Sequence, residues 1–261
     1  MRILFIGDIV GEPGRRAVAD IVPKLMKREE IDFVIANGEN AAGGSGITPA
    51  LCDELYESEV DVITTGDHVW KRKELLDRIA SDSRILRPAN YPRGAPGSGS
   101  TVVESASGVS VGVVNLIGRV FMQAVECPFR VVKEELARLE NKARVIVVDV
   151  HAEATSEKIA LGWYLDGKVS AIVGTHTHVQ TADEKILPGG TAFIADAGMT
   201  GPFDSVIGRA KEAVLTRFIT QMPTKFDIAD GDIQLHGVII DIDEKTGRAN
   251  SIKRVQEKLK G

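Results

Sequence analysis

Short apolar runs alternate along this chain with longer amphipathic stretches, and that alternation predicts a parallel α/β sheet. Residues 3–6 form an apolar run of buried-strand type, and residues 12–28 follow with helical spacing. Pro13 suits a first helical turn, whereas Pro23 lies inside the segment and predicts a kink or a break there. Residues 33–36 read as a strand and 49–57 as a helix, with Thr48 as its N-cap and Pro49 in its first turn. Residues 60–64 read as the next strand and 73–80 as the next helix. A β-α-β-α-β order of this kind implies parallel strands joined by right-handed crossovers.

Beyond residue 86 the pattern changes. Residues 87–100 are rich in Pro, Gly and Ser and read as a long loop. Residues 101–104 and 109–115 read as two strands of an antiparallel hairpin, with the turn at 105–108. Helices are predicted over 130–139, 156–165 and 209–220, and strands over 144–150, 171–173 and 191–195. The alternating segment 233–241 closes a sheet, with 250–255 paired to it, while Thr200-Gly201-Pro202 reads most simply as a turn. The expectation is one domain over 1–261, with two sheets packed together and helices outside.

Composition narrows this picture. With 43% hydrophobic and 26% charged residues in 261, the chain can bury a core, so disorder is expected only at the Lys-rich end, 257–261. The net charge is −5, from 32 basic and 37 acidic residues, and no run of Lys or Arg is long, which disfavours a nucleic-acid-coating role. Nothing in the sequence supports an RNA-processing partner. Cys52 and Cys127 are too few and too far apart for a disulfide framework or a zinc knuckle, and Cys52 reads as a small buried hydrophobe. The run at 3–6 is too short for a signal segment and no stretch approaches membrane length. A soluble cytoplasmic protein without a membrane partner is expected, self-associating into a homo-oligomer.

Ligands of parallel α/β sheets bind beyond the carboxyl ends of the strands. The residues that follow the predicted strands are Gly7-Asp8, Asn37-Gly38-Glu39-Asn40, Thr65-Gly66-Asp67-His68, His151 and Gly174-Thr175-His176-Thr177-His178. Four of the five histidines fall in this set, which scattered surface histidines would not do. His176 and His178 are two apart, so an extended backbone would project both rings the same way. Imidazole and carboxylate without thiolate suits Mn, Fe, Zn or Ni. The set holds more groups than one ion can use, and two metals sharing a carboxylate are the simplest reading. Singly, each residue has a plainer reading: Asp8 as a cap before Pro13, His151 as a hydrogen-bonded strand end, and His236, in an alternating strand, as a structural residue. The glycine-rich segment 41–46 lacks a P-loop's lysine and reads as a flexible loop beside the site. Arg119 and Phe121 could touch a substrate's phosphate and base.

The order and spacing of GD at 7–8, GEN at 38–40, GDH at 66–68, His151 and GTHTH at 174–178 resemble the calcineurin-type metallophosphoesterase signature. Glu39 in place of the usual Asp, and Asp8 without a following D-x-H histidine, resemble the YmdB-like subfamily of cyclic-nucleotide phosphodiesterases. The likeness runs from Met1 through 194–202 to the C-terminal strands. It implies a four-layer α-β-β-α sandwich of two mixed sheets and a dinuclear site of iron or manganese, with zinc as the third candidate. It also implies hydrolysis of 2′,3′-cyclic or 3′,5′-cyclic nucleotides, a small nucleotide phosphodiester substrate, by in-line attack of a metal-activated hydroxide. By position, Asp8, Asn40 and His178 would hold one metal, Asp67, His151 and His176 the other, and Glu39 would bridge them. His68 would be the general acid.

One departure stands out, because the usual family motif is Gly-Asn-His and this chain has Gly66-Asp67-His68. With Asp67 ionised, the site gains a third carboxylate beside Asp8 and Glu39, which predicts firmer metal retention and weaker Lewis acidity. Two rivals follow: a phosphomonoesterase or nucleotidase, and a metal- or nucleotide-binding regulatory scaffold with little turnover.

Overall fold

A computed structural model describes residues 1–260. In chain order the elements are β1 (Arg2–Ile6), β2 (Asp8–Ile9), α1 (Gly11–Glu29), β3 (Phe33–Asn37), α2 (Pro49–Glu57), β4 (Val62–Thr64) and α3 (Leu75–Ser81). The hairpin β5 (Ser100–Glu104) and β6 (Ser110–Ile117) follows, then α4 (Pro128–Leu139), β7 (Val145–His151), α5 (Thr155–Leu165) and β8 (Ala171–Thr175). The chain ends with β9 (Lys185–Ile186), β10 (Ala192–Ile194), β11 (Met199–Pro202), α6 (Lys211–Thr220), β12 (Ile233–Ile242) and β13 (Ala249–Lys258).

The strands form two mixed sheets. In the first, β1, β3 and β4 are parallel neighbours, and β12 pairs antiparallel with β1, β11 and β13. The second runs β5-β6-β7-β8-β10-β9, with β6, β7, β8 and β10 parallel. The period-two alternation of β1 explains the layering. Ile3 and Phe5 face the space between the sheets and pack with Val113, Val147 and Val173, while Leu4 and Ile6 face α1 and pack with Val18, Ile21 and Leu25. Val148 and Ile172 on the outer face of the second sheet pack with Val132 and Leu161 of α4 and α5. These three apolar layers make the predicted four-layer α-β-β-α sandwich. Among the described residues no helix is long and apolar enough to cross a membrane.

Several expectations change. Helix α1 runs unbroken through Pro23, with residues on both sides of it, Val18, Ile21 and Leu25, packed in one core cluster with Leu4 and Ile6. Thr48 has the extended backbone of an N-cap but makes no side-chain cap bond. Met199–Pro202 is a strand rather than a turn: Thr200 pairs with both Leu235 and Ile9, and Pro202 ends the strand, where its missing donor costs nothing. The lysine-rich end is ordered as β13 to Lys258, and Gly261 lies outside the described residues.

Candidate active site

Five strand ends converge at one edge of the two sheets. Asp8 follows β1, Glu39 and Asn40 follow β3, Asp67 and His68 follow β4, His151 is the last residue of β7, and His176 follows β8. The approach is close enough that a Cβ on Gly66 would lie 2.2 Å from the His151 ring and 2.3 Å from Glu39 Oε2, so no side chain fits there. His176 and His178 have φ of 100° and 66°, not the extended backbone that their spacing predicted. The segment turns because its amides are captured: His176 N–H donates to Asp8 Oδ2 (3.0 Å), and Thr177 N–H and Oγ1 donate to Asp196 Oδ2 (3.1 and 2.7 Å).

Each of three histidines has one ring nitrogen tied to an outer acceptor and the other turned into the cluster. His151 Nδ1 lies 2.9 Å from Thr175 Oγ1, which itself donates to Asp149 (2.7 Å). His176 Nε2 lies 3.2 Å from Glu153 Oε2. His178 Nδ1 donates to the Ile207 carbonyl at 3.0 Å. The inward nitrogens meet carboxylates: His151 Nε2 is 3.2 Å from both Glu39 Oε1 and Asp67 Oδ1, and His176 Nδ1 is 3.5 Å from Asp67 Oδ1. Outer partners of this kind fix the tautomer and ring direction of metal-binding histidines.

The donor set fits a cation on independent grounds. Ligand atoms of Glu39, Asp67, His151 and His176 all lie within 4.8 Å of one another. Asp8 is fully buried, and its Oδ1 has no hydrogen-bond partner although His178 Nε2 is 4.0 Å away. Among the described residues, Asp8, Glu39 and Asp67 pair with histidines alone and with no Lys or Arg. Three carboxylates gathered without a fixed cation are costly unless a metal joins them.

The electrostatics carry the same signature. Burial pushes the Asp8 carboxyl above its usual range. For Glu39 burial works in the same direction but the His151 ring outweighs it and holds the carboxyl low. Asp67 likewise sits low despite burial, through His151, His68 and His176. Burial disfavours the His151 cation, yet Glu39, Asp67 and Asp8 raise the ring well above the ordinary histidine value. The His151 ring thus supplies positive charge that offsets these buried carboxylates.

Asn40 lies at the junction. Its Nδ2 is 3.1 Å from Glu39 Oε1 and 3.2 Å from His178 Nε2, and its Oδ1 is 2.8 Å from His68 Nδ1. Its carbonyl has a second lone pair left for a metal. His68 is 30% exposed, with Nε2 3.7 Å from Asp67 Oδ2, at the edge of a pocket of about 310 Å³. That pocket is lined by Glu39, Asn40, His176 and His178 together with Glu153, Ile207 and Arg209. Arg119 and Phe121 lie outside its lining, Arg119 against Cys127 Sγ and Phe121 in solvent. The segment 41–46 is no free loop: Arg15, Arg72 and Arg209 bond the carbonyls of Ala41, Ala42, Gly43, Gly44 and Ser45.

Several supporting groups escaped the sequence reading. Asp149 is wholly buried, receives Thr64, Thr175 and Asn37, and is pushed up to about 6 by burial. Its one signal was a carboxylate inside an apolar strand. Glu153 and Arg209 gave none, because only the fold brings them to the pocket.

Residues 4–255 match the family described as YmdB-like protein. The 2′,3′-cyclic-nucleotide 2′-phosphodiesterase of Bacillus subtilis (strain 168) is 50% identical over 255 residues, covering 98% of this chain and 96% of that protein. The crystal structure of a hypothetical protein from Thermus thermophilus has a TM-score of 0.92 at 43% identity and covers 99% of both chains. A structure described as a novel phosphatase from Mycoplasma pneumoniae has the same TM-score of 0.92 at 33% identity, covering 99% of this chain and 93% of that one.

Proposed function

The chain belongs to the YmdB-like family, and on that premise we propose that it is a metal-dependent phosphodiesterase opening 2′,3′-cyclic nucleotides. The observation that carries this reading is the ring of histidines, each anchored outward on Thr175, Glu153 or Ile207 and turned inward onto three carboxylates that lack a Lys or Arg partner. Asp8, Asn40 and His178 would hold one ion and Asp67, His151 and His176 a second, with Glu39 shared between them. Iron or manganese suits the imidazole and carboxylate donors, and zinc is the third candidate. Such ions, when bound, supply Lewis acidity to a phosphoryl oxygen and to the attacking water.

The chain's own residues do the rest. Asn40 Oδ1 accepts from His68 Nδ1 at 2.8 Å, which fixes the ring and leaves Nε2 to carry the proton that the leaving ribose oxygen needs. Thr175 and Asp149 keep His151 from rotating, and the Ile207 carbonyl does the same for His178. Gly66 lets the Asp67 loop reach His151 without a side chain between them. Of the pocket's lining, Arg209 is the sole cation besides the histidines, and its guanidinium is engaged by the carbonyls of Gly43, Gly44 and Phe226. Beyond the metals, a phosphomonoester dianion would find no free Lys or Arg in this lining, which favours a diester monoanion.

The test is hydrolysis of 2′,3′-cyclic AMP by the Mn²⁺-loaded protein, with 3′,5′-cyclic AMP, 3′-AMP and bis(p-nitrophenyl) phosphate as parallel substrates. Rupture of the 2′ bond, giving 3′-AMP that is not degraded further, is expected. Turnover of 3′-AMP alone would make the protein a phosphomonoesterase. No turnover with metal bound would make it a scaffold.

A further inference from the structure

Beside the catalytic pocket lies a second cavity of about 510 Å³, within the size range of small-ligand sites. Val179, Met199, Phe203, Val206, Ile207 and His236 give it a mainly apolar wall, and Gln180 and Gln256 stand at its polar edge. The two cavities share His178 and Ile207, whose 3.0 Å contact from His178 Nδ1 to the Ile207 carbonyl forms the partition. A ligand with one end at His178 therefore has this cavity as its next space.

The partition is built at a cost. Ile207 is β-branched yet has φ of 47°, a conformation that such residues avoid. The turn is held from both sides: Ser205 Oγ donates to the Pro202 carbonyl (2.6 Å) and accepts from Gly208 N–H (2.9 Å), and Val206 and Arg209 exchange backbone bonds of 2.9 and 3.0 Å. Strain that persists in this way clusters at ligand clamps. On the opposite wall the ring of Phe203 stacks over that of the buried His236, with centroids 4.2 Å apart at 36°. Burial pushes His236 down to about 4, so at neutral pH the ring behind Phe203 carries no charge. At the rim Gln256 Nε2 donates to Gln180 Oε1 (2.9 Å), which leaves Gln256 Oε1 accepting no bond among the described residues.

We propose that this cavity is the nucleobase subsite. It takes the flat face of the base against Phe203, which His236 backs, and offers Gln256 Oε1 to an exocyclic amino group, while the cyclic phosphate of the same molecule lies at His178. This rests on the cyclic-nucleotide reading above. It adds to that reading where the base goes and a preference for amino-bearing bases such as adenine.

The experiment compares two diesters on the metal-loaded full chain: 2′,3′-cyclic AMP, and methyl p-nitrophenyl phosphate, which has no base. Phe203→Ala is expected to lower kcat/KM for the nucleotide about 10- to 100-fold more than for the base-free diester, in keeping with the strength of base–aromatic stacking. Phe203→Trp should restore the nucleotide rate. Equal losses on both substrates, or no loss on either, overturn the subsite. If the wild type hydrolyses neither diester, the function fails and the subsite is judged by binding instead. Tryptophan fluorescence of Phe203→Trp, measured against the wild type to subtract Trp70 and Trp163, should be quenched by adenosine and not by ribose. Absence of quenching by adenosine overturns the proposal.

Discussion

Replacing Lys158 with Met should unfold the protein at markedly lower urea and loosen its hold on metal, although Lys158 touches none of the proposed ligands. Lys158 on α5 is 2% exposed, and its Nζ donates to Asp196 Oδ2 at 2.7 Å and to the Thr175 carbonyl at 2.8 Å. Asp196, 1% exposed, also accepts from Thr177 N and Oγ1 and from Gly198 N, so it anchors the turn that carries His176 and His178. Methionine keeps the stem's packing but leaves Asp196 buried with no cation, a change that costs about 3–5 kcal/mol. With a urea slope of about 3 kcal/mol per molar for a chain this long, the midpoint should fall by about 1–1.7 M. The assay is equilibrium unfolding of metal-free protein followed by circular dichroism. Lys158→Met/Asp196→Asn, which removes both charges, should recover about 2 kcal/mol relative to the sum of the single changes. A midpoint shift under about 0.3 M, or additive single changes, would refute the reasoning.

His68→Ala should lower turnover of 2′,3′-cyclic AMP by about 10²–10⁴-fold but bis(p-nitrophenyl) phosphate by less than about tenfold, since a p-nitrophenolate leaves without a proton; equal losses would remove His68 as general acid. Asp67→Asn takes one carboxylate from the cluster, so Mn²⁺ affinity should fall roughly tenfold while turnover at saturating Mn²⁺ rises. Unchanged affinity and rate would show that Asp67 does not sense the metal. Burial holds His236 down to about 4, against an ordinary 6.5. The unfolded chain therefore takes up that proton first, and the stability His236 contributes is complete above pH 6.5 and drains as pH falls toward 4. After discounting for partial solvent screening this amounts to about 2 kcal/mol, and His236→Leu should flatten that part of the unfolding profile. Identical slopes for variant and wild type between pH 6.5 and 4 would contradict it.

The layers were legible in the chain because burial imposes a period on it. Leu4 and Ile6 point to α1 and Ile3 and Phe5 to the other sheet, so the apolar run at 3–6 could only be a strand covered on both faces. The strand-end rule then led to Asp8, Glu39, Asp67 and His151 without knowledge of their neighbours. What stayed hidden depends on partners far along the chain. Met199–Pro202 has the composition of a turn and becomes a strand only through Leu235 and Ile9. The positive φ of His176 and His178 arises from captures by Asp8 and Asp196, and local spacing carries no trace of them. Arg209 sits 165 residues from the Gly44 carbonyl that it binds, a contact visible only once the sheets are assembled.

The central claim is a two-ion site on the strand-end loops, and metal stoichiometry tests it most directly. Titration of metal-free protein with Mn²⁺, read by calorimetry and by elemental analysis after desalting, should give two ions per chain. Asp8→Asn combined with His178→Ala should give one, and His151→Ala combined with His176→Ala should give one at the other position. A wild-type stoichiometry of one, or a first pair of changes that removes both ions or neither, would contradict the account.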